Sequence, residues 1–375
     1  MKDLKTLINE ELHNLVEDLH LDREFLDITN FITVDQKSAE FIRFILNDGT
    51  FTHPEEGTEM YELAQDRSRH SALTFLIGLV FKKAFGLYDS FAEVFEFGEP
   101  KIDFRLWLLV SLYHDKGYYS TRLKKKTEVH KQDFKYDLFS DKPISYEVEH
   151  DLRMDYKRVL AFSYDELRQY DVWALQFHSE KGDKECVDHG ILGGYIVYND
   201  YLAKIKRYDC SFDENDYLIN KITALTISQH NLFKTQKDDK EFDWQHPGKP
   251  KKLTCGDPFR IAKETPLLLF LALIDTFECV KKLSKGENPS KYLETPTVLK
   301  CIELSIESDK VIIDYTKLKK AVYDKKDNDL KKVFDSYLKS ICRFNEWTFF
   351  KVLNQEENRI TIMLDSSVVL QSVVE

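Results

Sequence analysis

No two of the six cysteines, Cys186, Cys210, Cys255, Cys279, Cys301 and Cys342, stand close enough to form a CxxC pair. That spacing excludes a zinc ribbon and a dense disulfide framework, and it fits free thiols in a reducing compartment. An excess of basic charge is also missing, since 54 Lys and Arg against 65 Asp and Glu leave a net charge of −11. A broad, sequence-independent grip on DNA needs basic surface, so the balance disfavours a nucleic-acid partner, although a local basic groove is compatible with it. Long apolar runs are absent as well. The strongest, PLLLFLALIDTFECV at 266–280, is too short for a membrane span and carries Asp275 and Glu278. The opening MKDLKTLINEELHNLVEDLH is acidic and amphipathic, unlike a signal peptide. There are no internal repeats and no low-complexity segments. A soluble cytoplasmic protein without a membrane partner is the expectation.

What is present is the material of a folded, largely helical chain. Hydrophobic residues make up 42% and aromatics 13%, and the 32% of charged residues fits helices with solvated outer faces. Apolar residues recur three or four apart in 5–18, 37–47, 71–87, 105–114, 187–206, 214–233 and 266–282, which predicts a helix in each. Thr265-Pro266 is a start signal for the last, with a capping Thr and a proline at the first helical position. Between about 118 and 165, and again over 234–258, the period breaks, and both stretches read as insertions. After about residue 292 the character changes. VLKCIELSIESDKVIIDY (298–315) alternates like strands around a turn at Ser308-Asp309, 328–344 reads as a helix and 348–364 as a second hairpin. The expected fold is therefore mainly α, with a small C-terminal α+β element. Its segments are an N-terminal helical segment at 1–59, a helical domain at 60–291 and the element at 292–375, which is a candidate surface for a protein partner.

The chemistry-bearing residues sit in apolar settings. His70 lies in DRSRHSALTFLIGLVF, just before an apolar run, and His114-Asp115 end LLVSLYHD. His189 lies in VDHGILGGYIVYNDYL, His230 in ITALTISQHNLF, and Asp275 in a helix that is apolar on almost every face. A single histidine near a helix end is more often a hydrogen-bonder than a ligand. Asp275 is harder to dismiss, because a buried carboxylate is expensive unless an ion pair or a metal compensates it. Imidazoles and carboxylates together are the ligands of Fe, Mn, Zn, Co and Ni.

In the order His, His-Asp, His, His, Asp on successive helices, the chain resembles the HD-domain superfamily of metal-dependent phosphohydrolases. The resemblance rests on RSRHS (67–71), HDKG (114–117), DHGILGG (188–194), SQHN (228–231) and LIDTFE (273–278), and it covers roughly residues 60–285. It implies an HD-like helical core holding two divalent transition metal ions, of which Fe, Mn, Co, Ni and Zn are the candidates. His70, His114, Asp115 and Asp275 would hold the first. His189 and His230 would hold the second, with Asp115 shared and a metal-bound hydroxide as nucleophile. Asp115, Lys116 and Arg67 are the expected catalytic residues. Arg67, Arg69, Lys116, Tyr118, His178, Lys181 and Lys184 are the candidates for substrate binding, arginine suiting bidentate phosphate contacts and lysine acting as a point charge. Two departures stand out. Where many members carry HD-x-G-Lys, this chain has Tyr118, with Lys116 two residues earlier. The gap from Asp115 to His189 is long for a compact HD core, which leaves His178 as a rival for the second metal.

The expected activity is hydrolysis of a phosphoester in a nucleotide or nucleotide-like small molecule. The alternatives are a single-strand nuclease, for which LKKKTEVHK (123–131) is a local basic run, a di-iron oxygenase resembling myo-inositol oxygenase, and a non-catalytic ligand-sensing or interaction module. Comparing metal content in His189→Ala and His178→Ala separates the two candidate ligands. Loss of about one ion from the first variant only is expected, and loss from the second only would hand the role to His178.

Overall fold

The computed structural model describes residues 1–20, 22–33, 35–46, 67–85, 100–116, 136–137, 142–143, 214–230, 241–242, 250–251, 266–284, 291–307, 310–342, 350–356 and 358–364, with helical positions at 190, 193–194, 196–198 and 200–201. Helix predominates among them, and a small antiparallel sheet accompanies it. The chain divides into two compact units. One gathers 1–54, 65–112 and 269–375, and the other comprises 55–64 and 113–268.

In the first unit the sheet starts with a two-residue strand, β1 (Lys2–Asp3), and α1 (Leu4–Leu19) follows directly. Asp3 caps α1, accepting from the Thr6 N–H at 3.0 Å and from its hydroxyl at 2.8 Å. The buried Leu4, Ile8, Leu12, Leu15 and Val16 recur at helical spacing, and His20 closes the helix with φ of 53°. A Phe25, Phe31 and Phe41 cluster fastens the next turns to α2 (Asp35–Leu46), with Phe31 stacked on Phe41 at 4.5 Å.

Two helices form the centre of this unit. In α3 (Arg67–Phe85) every residue from Ser68 to Phe81 is buried, so it is enclosed on all sides. The sequence reading placed His70 just ahead of the helix; the structure places it inside the first turn, because Arg67, Ser68 and Arg69 extend the helix upstream of the apolar run. Across from α3 runs α4 (Pro100–Tyr113), whose Trp107 lies against Gly78. A Cβ at Gly78 would stand 1.9 Å from Trp107 Cζ2, so only glycine admits the indole here. Trp107 Nε1–H donates to the Phe75 carbonyl at 3.1 Å, which satisfies its buried polar atom.

In the second unit, α5 (Glu214–Gln229) buries Ile219, Thr223, Ala224, Leu225, Thr226 and Ile227. Two-residue ladders pair 136–137 with 142–143 and 241–242 with 250–251, in stretches read as insertions.

Back in the first unit, α6 (Pro266–Phe277) begins at the expected proline but stops at Phe277. The expected single helix over 266–282 is interrupted at Glu278-Cys279 and resumes as α7 (Val280–Leu283). Trp107 packs on Phe270 and Phe81 on Phe277, both at 4.8 Å between ring centroids. Beyond α7 come α8 (Thr295–Cys301), β2 (Glu303–Ile306), β3 (Lys310–Asp314), α9 (Thr316–Asp324), α10 (Asn328–Cys342), β4 (Phe350–Glu356) and β5 (Arg359–Leu364). The strands order as β1-β2-β3-β5-β4, all antiparallel. The start of the stretch read as strand, 298–301, is the end of α8 instead, since Thr295-Pro296 opens a short helix there.

Val311 and Ile313 face inward with Ile362 and Ile360 as their register partners, the alternation expected of a sheet with one buried face. Helix α10 buries Leu330, Phe334, Tyr337 and Ile341. The Tyr337 hydroxyl donates to the Phe277 carbonyl at 2.8 Å and lies 2.9 Å from the Tyr315 hydroxyl. Burial pushes both phenols and the adjacent Cys279 thiol up, so this network stays uncharged at neutral pH. It ties the α+β element to the carboxyl end of α6. No helix among the described residues is long and apolar enough to cross a membrane.

Gly78→Ala tests the close approach of α3 and α4. Overpacking should lower the unfolding free energy by ~1–3 kcal/mol in a urea titration. An unchanged midpoint would mean that Trp107 repacks without strain.

Candidate metal centre

His70 stands in the first turn of α3, with 1% of its surface exposed. Two carboxylates from the other end of the same unit meet its ring. Glu278 Oε2 lies 2.7 Å from Nδ1 and Asp275 Oδ1 lies 3.0 Å from Nε2. Both acids are enclosed, Asp275 at 2% and Glu278 at 0% exposed. They reach one imidazole because they are three apart at the end of α6, which puts them on one face of the chain as it leaves the helix. Lys281, on α7, places its ammonium 2.9 Å from Asp275 Oδ1 and 2.9 Å from His70 Nε2.

These contacts assign the tautomer. Nδ1–H donates to Glu278, and the Nε2 lone pair accepts from Lys281 and faces Asp275. Burial works to raise the Glu278 carboxyl, but the hydrogen bond from His70, then the charge and backbone N–H of Lys281, outweigh it. The carboxyl is held below its usual range and stays ionised. A carboxylate behind a ligand histidine is the arrangement that fixes ring orientation and raises ligand basicity in metal sites.

His114 and Asp115 follow the last residue of α4 in a turn closed by the Lys116 N–H on the Tyr113 carbonyl at 2.9 Å. They are 0% and 4% exposed, and His114 Nε2 lies 3.6 Å from Asp115 Oδ1. His230, directly after α5, is 0% exposed and meets the His114 ring edge-on at 5.4 Å. Its Nδ1–H donates to the Ile227 carbonyl at 2.5 Å, which leaves Nε2 as the ligand-capable nitrogen. His70, His114 and Asp115 each offer a ligand atom, and these atoms lie within 4.8 Å of one another. Among the described residues this is the group able to hold a metal ion, and it is compatible with an HD-like site.

The donor set fits a divalent ion. His70, His114 and Asp115 join two imidazole nitrogens to one carboxylate, all buried, and the other ring nitrogen of His70 is already engaged by Glu278. Asp275 and Glu278 are enclosed beside the His70 ring, where the Lys281 ammonium compensates part of their charge.

The remaining expectations fall out as follows. Lys116 pairs with Asp200 at 2.6 Å and lies over the Tyr113 ring at 5.1 Å. Arg69, expected at a phosphate, is 5% exposed and donates to the Ser284 carbonyl at 3.0 Å and to the Thr295 hydroxyl at 3.4 Å. The structure gives that guanidinium the task of fastening α3 to the end of α7 and the start of α8. Arg67 is half-buried at the start of α3. His189, His178, Tyr118, Lys181 and Lys184 lie outside the described residues, although Gly190, Gly193 and Gly194 beside His189 are buried helical positions. Glu278 and Lys281 were missed as functional residues. The signal was present in LIDTFECVK: an acid three residues beyond Asp275, and a lysine three further, inside an otherwise apolar segment.

No protein-family model matches the chain, and neither comparison with curated proteins nor comparison with solved structures finds a match.

Removing the carboxylate behind His70 tests its orienting role. Glu278→Ala should weaken metal affinity by about 10–100-fold in calorimetric titration, by freeing the ring and its tautomer. It should also destabilise the metal-free fold by ~1–3 kcal/mol, because a buried ring N–H loses its acceptor. Unchanged affinity would make Glu278 a packing residue only.

Proposed function

We propose that the chain is a metal-dependent phosphohydrolase with an HD-type binuclear site, acting on a phosphoester of a nucleotide or nucleotide-like small molecule. The observation that carries this reading is the convergence of His70, His114 and Asp115 in a buried group of metal-ligating atoms. His70, His114, Asp115 and Asp275 would hold the first ion; His230 and His189 would hold the second, with Asp115 serving both. Divalent ions there supply Lewis-acid activation for phosphoryl transfer to water.

The chain's own residues do the positioning. Glu278 aims His70 through Nδ1, and the Ile227 carbonyl aims His230 through its Nδ1. Lys116 and Arg67, beside the ligand-bearing turns, are the basic groups proposed to meet substrate phosphate, and Lys116 exchanges its Asp200 partner for that contact. Arg69 is left out of that set because its guanidinium is already used inside the fold. The net charge of −11 supports a diffusible substrate over a long nucleic acid.

Elemental analysis of freshly purified protein, with Asp115→Ala alongside, is the first test. About two equivalents of a divalent transition metal are expected in the parent, with both lost in the variant because the shared ligand is gone. Metal-dependent release of phosphate or nucleoside from a panel of nucleotides, abolished in Asp115→Ala, completes the expected result. Full metal content in Asp115→Ala would overturn the ligand assignment, and a loaded protein that hydrolyses nothing while consuming O₂ would point to oxygenase chemistry.

A further inference from the structure

Two hydrogen-bond acceptors, His70 Nε2 and Asp275 Oδ1, stand 3.0 Å apart inside the first unit. With the ring proton committed to Glu278, that approach brings a lone pair against a carboxylate, and it is unfavourable unless a cation lies beside both. The Lys281 ammonium is that cation, 2.9 Å from each atom. The spacing of six residues between Asp275 and Lys281 is not one that a continuous helix brings face to face. It is reached here because α6 ends at Phe277 and the chain turns through Glu278-Cys279 before α7 begins. Glu278 reinforces the turn by accepting the Lys281 backbone N–H at 3.2 Å. The interruption of the helix thus brings a positive charge back onto two of the atoms assigned to a metal. The two partners differ in their access to water: the Asp275 side chain is 1% exposed, whereas that of Lys281 is 24% exposed. A four-carbon stem with its flank at the surface can carry the ammonium outward without moving the backbone.

We propose that Lys281 is a tethered counter-ion of the metal centre: its ammonium neutralises the His70–Asp275 pair in metal-free protein, and a divalent ion and this ammonium exclude one another. This rests on reading His70 and Asp275 as ligands of the first ion. The lysine keeps the buried acids compensated before metal arrives, so the apo fold does not open, and it sets a threshold that an entering ion must overcome. Ions that bind the His70–Asp275 pair weakly fail to displace it.

The test uses the full chain, stripped of metal, as parent and as K281M, with Mn²⁺ and Zn²⁺ added one at a time. Metal-free K281M is expected to melt several degrees below the parent, and the difference to close when metal is saturating. Calorimetry should show K281M binding about tenfold more tightly, the factor expected when the competent, lysine-out form is about a tenth of the parent population. A second readout needs no variant. Acylation of Lys281 in the parent, followed by mass spectrometry, should run severalfold faster with metal than without, while an exposed control such as Lys2 is unchanged.

Equal or weaker metal binding by K281M, in a parent that does bind metal, overturns the tethered counter-ion and leaves the metal centre standing. If K281M does not fold, an unchanged acylation rate at Lys281 has the same force. Failure of both proteins to take up either metal overturns this proposal and the proposed function together. Uptake by K281M alone would support the displacement in its strongest form.

Discussion

Two carboxylates at the closed end of an apolar helix set the terms for the rest of this molecule. Asp275 and Glu278 lie where water cannot reach them, and uncompensated charge of that kind is worth several kcal/mol against folding. Their compensation organises the surroundings. One imidazole is shared between both acids, a lysine returns from the next helix, and the helix itself is broken so that it can return. A chain selected for stability alone would place aliphatic residues at these positions.

Geometry is supplied by packing rather than by charge. The indole of Trp107 on the bare backbone of Gly78 fixes how near α4 can come to α3, and so where the chain leaves α4 toward His114 and Asp115. At the other side, Tyr337 holds the Phe277 carbonyl, one of the last helical carbonyls before the break. The small α+β element is thereby a buttress for the turn that carries Glu278, in addition to any surface it offers to partners. Its hydroxyl network is neutral, so it holds that turn without adding to the charge already buried there.

Much of this was legible in the residues. The helical periods over 5–18 and 37–47 appear at nearly those bounds, that over 105–114 belongs to a helix beginning five residues earlier at Pro100, and the hairpin of 348–364 is present. Asp275 was recognisable as a problem in physical chemistry, because an acid in a segment apolar on every face has to be compensated. What the sequence concealed was of three kinds. Lys281 and Glu278 gain their meaning from a helix break that periodicity does not register, since apolar residues recur on both sides of it. Helix α9 was overlooked between the strand-like stretch at 298–315 and the expected helix at 328–344, being short and strongly charged on one face. Strand β1 is too short to show alternation and exists only because β2 is there to pair with it. His189, expected at a second metal, and Tyr118, His178, Lys181 and Lys184, expected at the substrate, lie outside the described residues, so their reading rests on the family resemblance.

The pairing of β1 with β2 brings residues 2 and 3 against 304 and 303. During synthesis residues 2 and 3 therefore wait for a partner that exists only once residue 304 has been translated, and a strand edge stays unpaired meanwhile. Asp3 can cap α1 early, so that helix can be in place before its strand is. The first unit closes only after the whole of the second has been translated. Chaperone demand and translation speed would then govern the yield of folded protein as much as its equilibrium stability does.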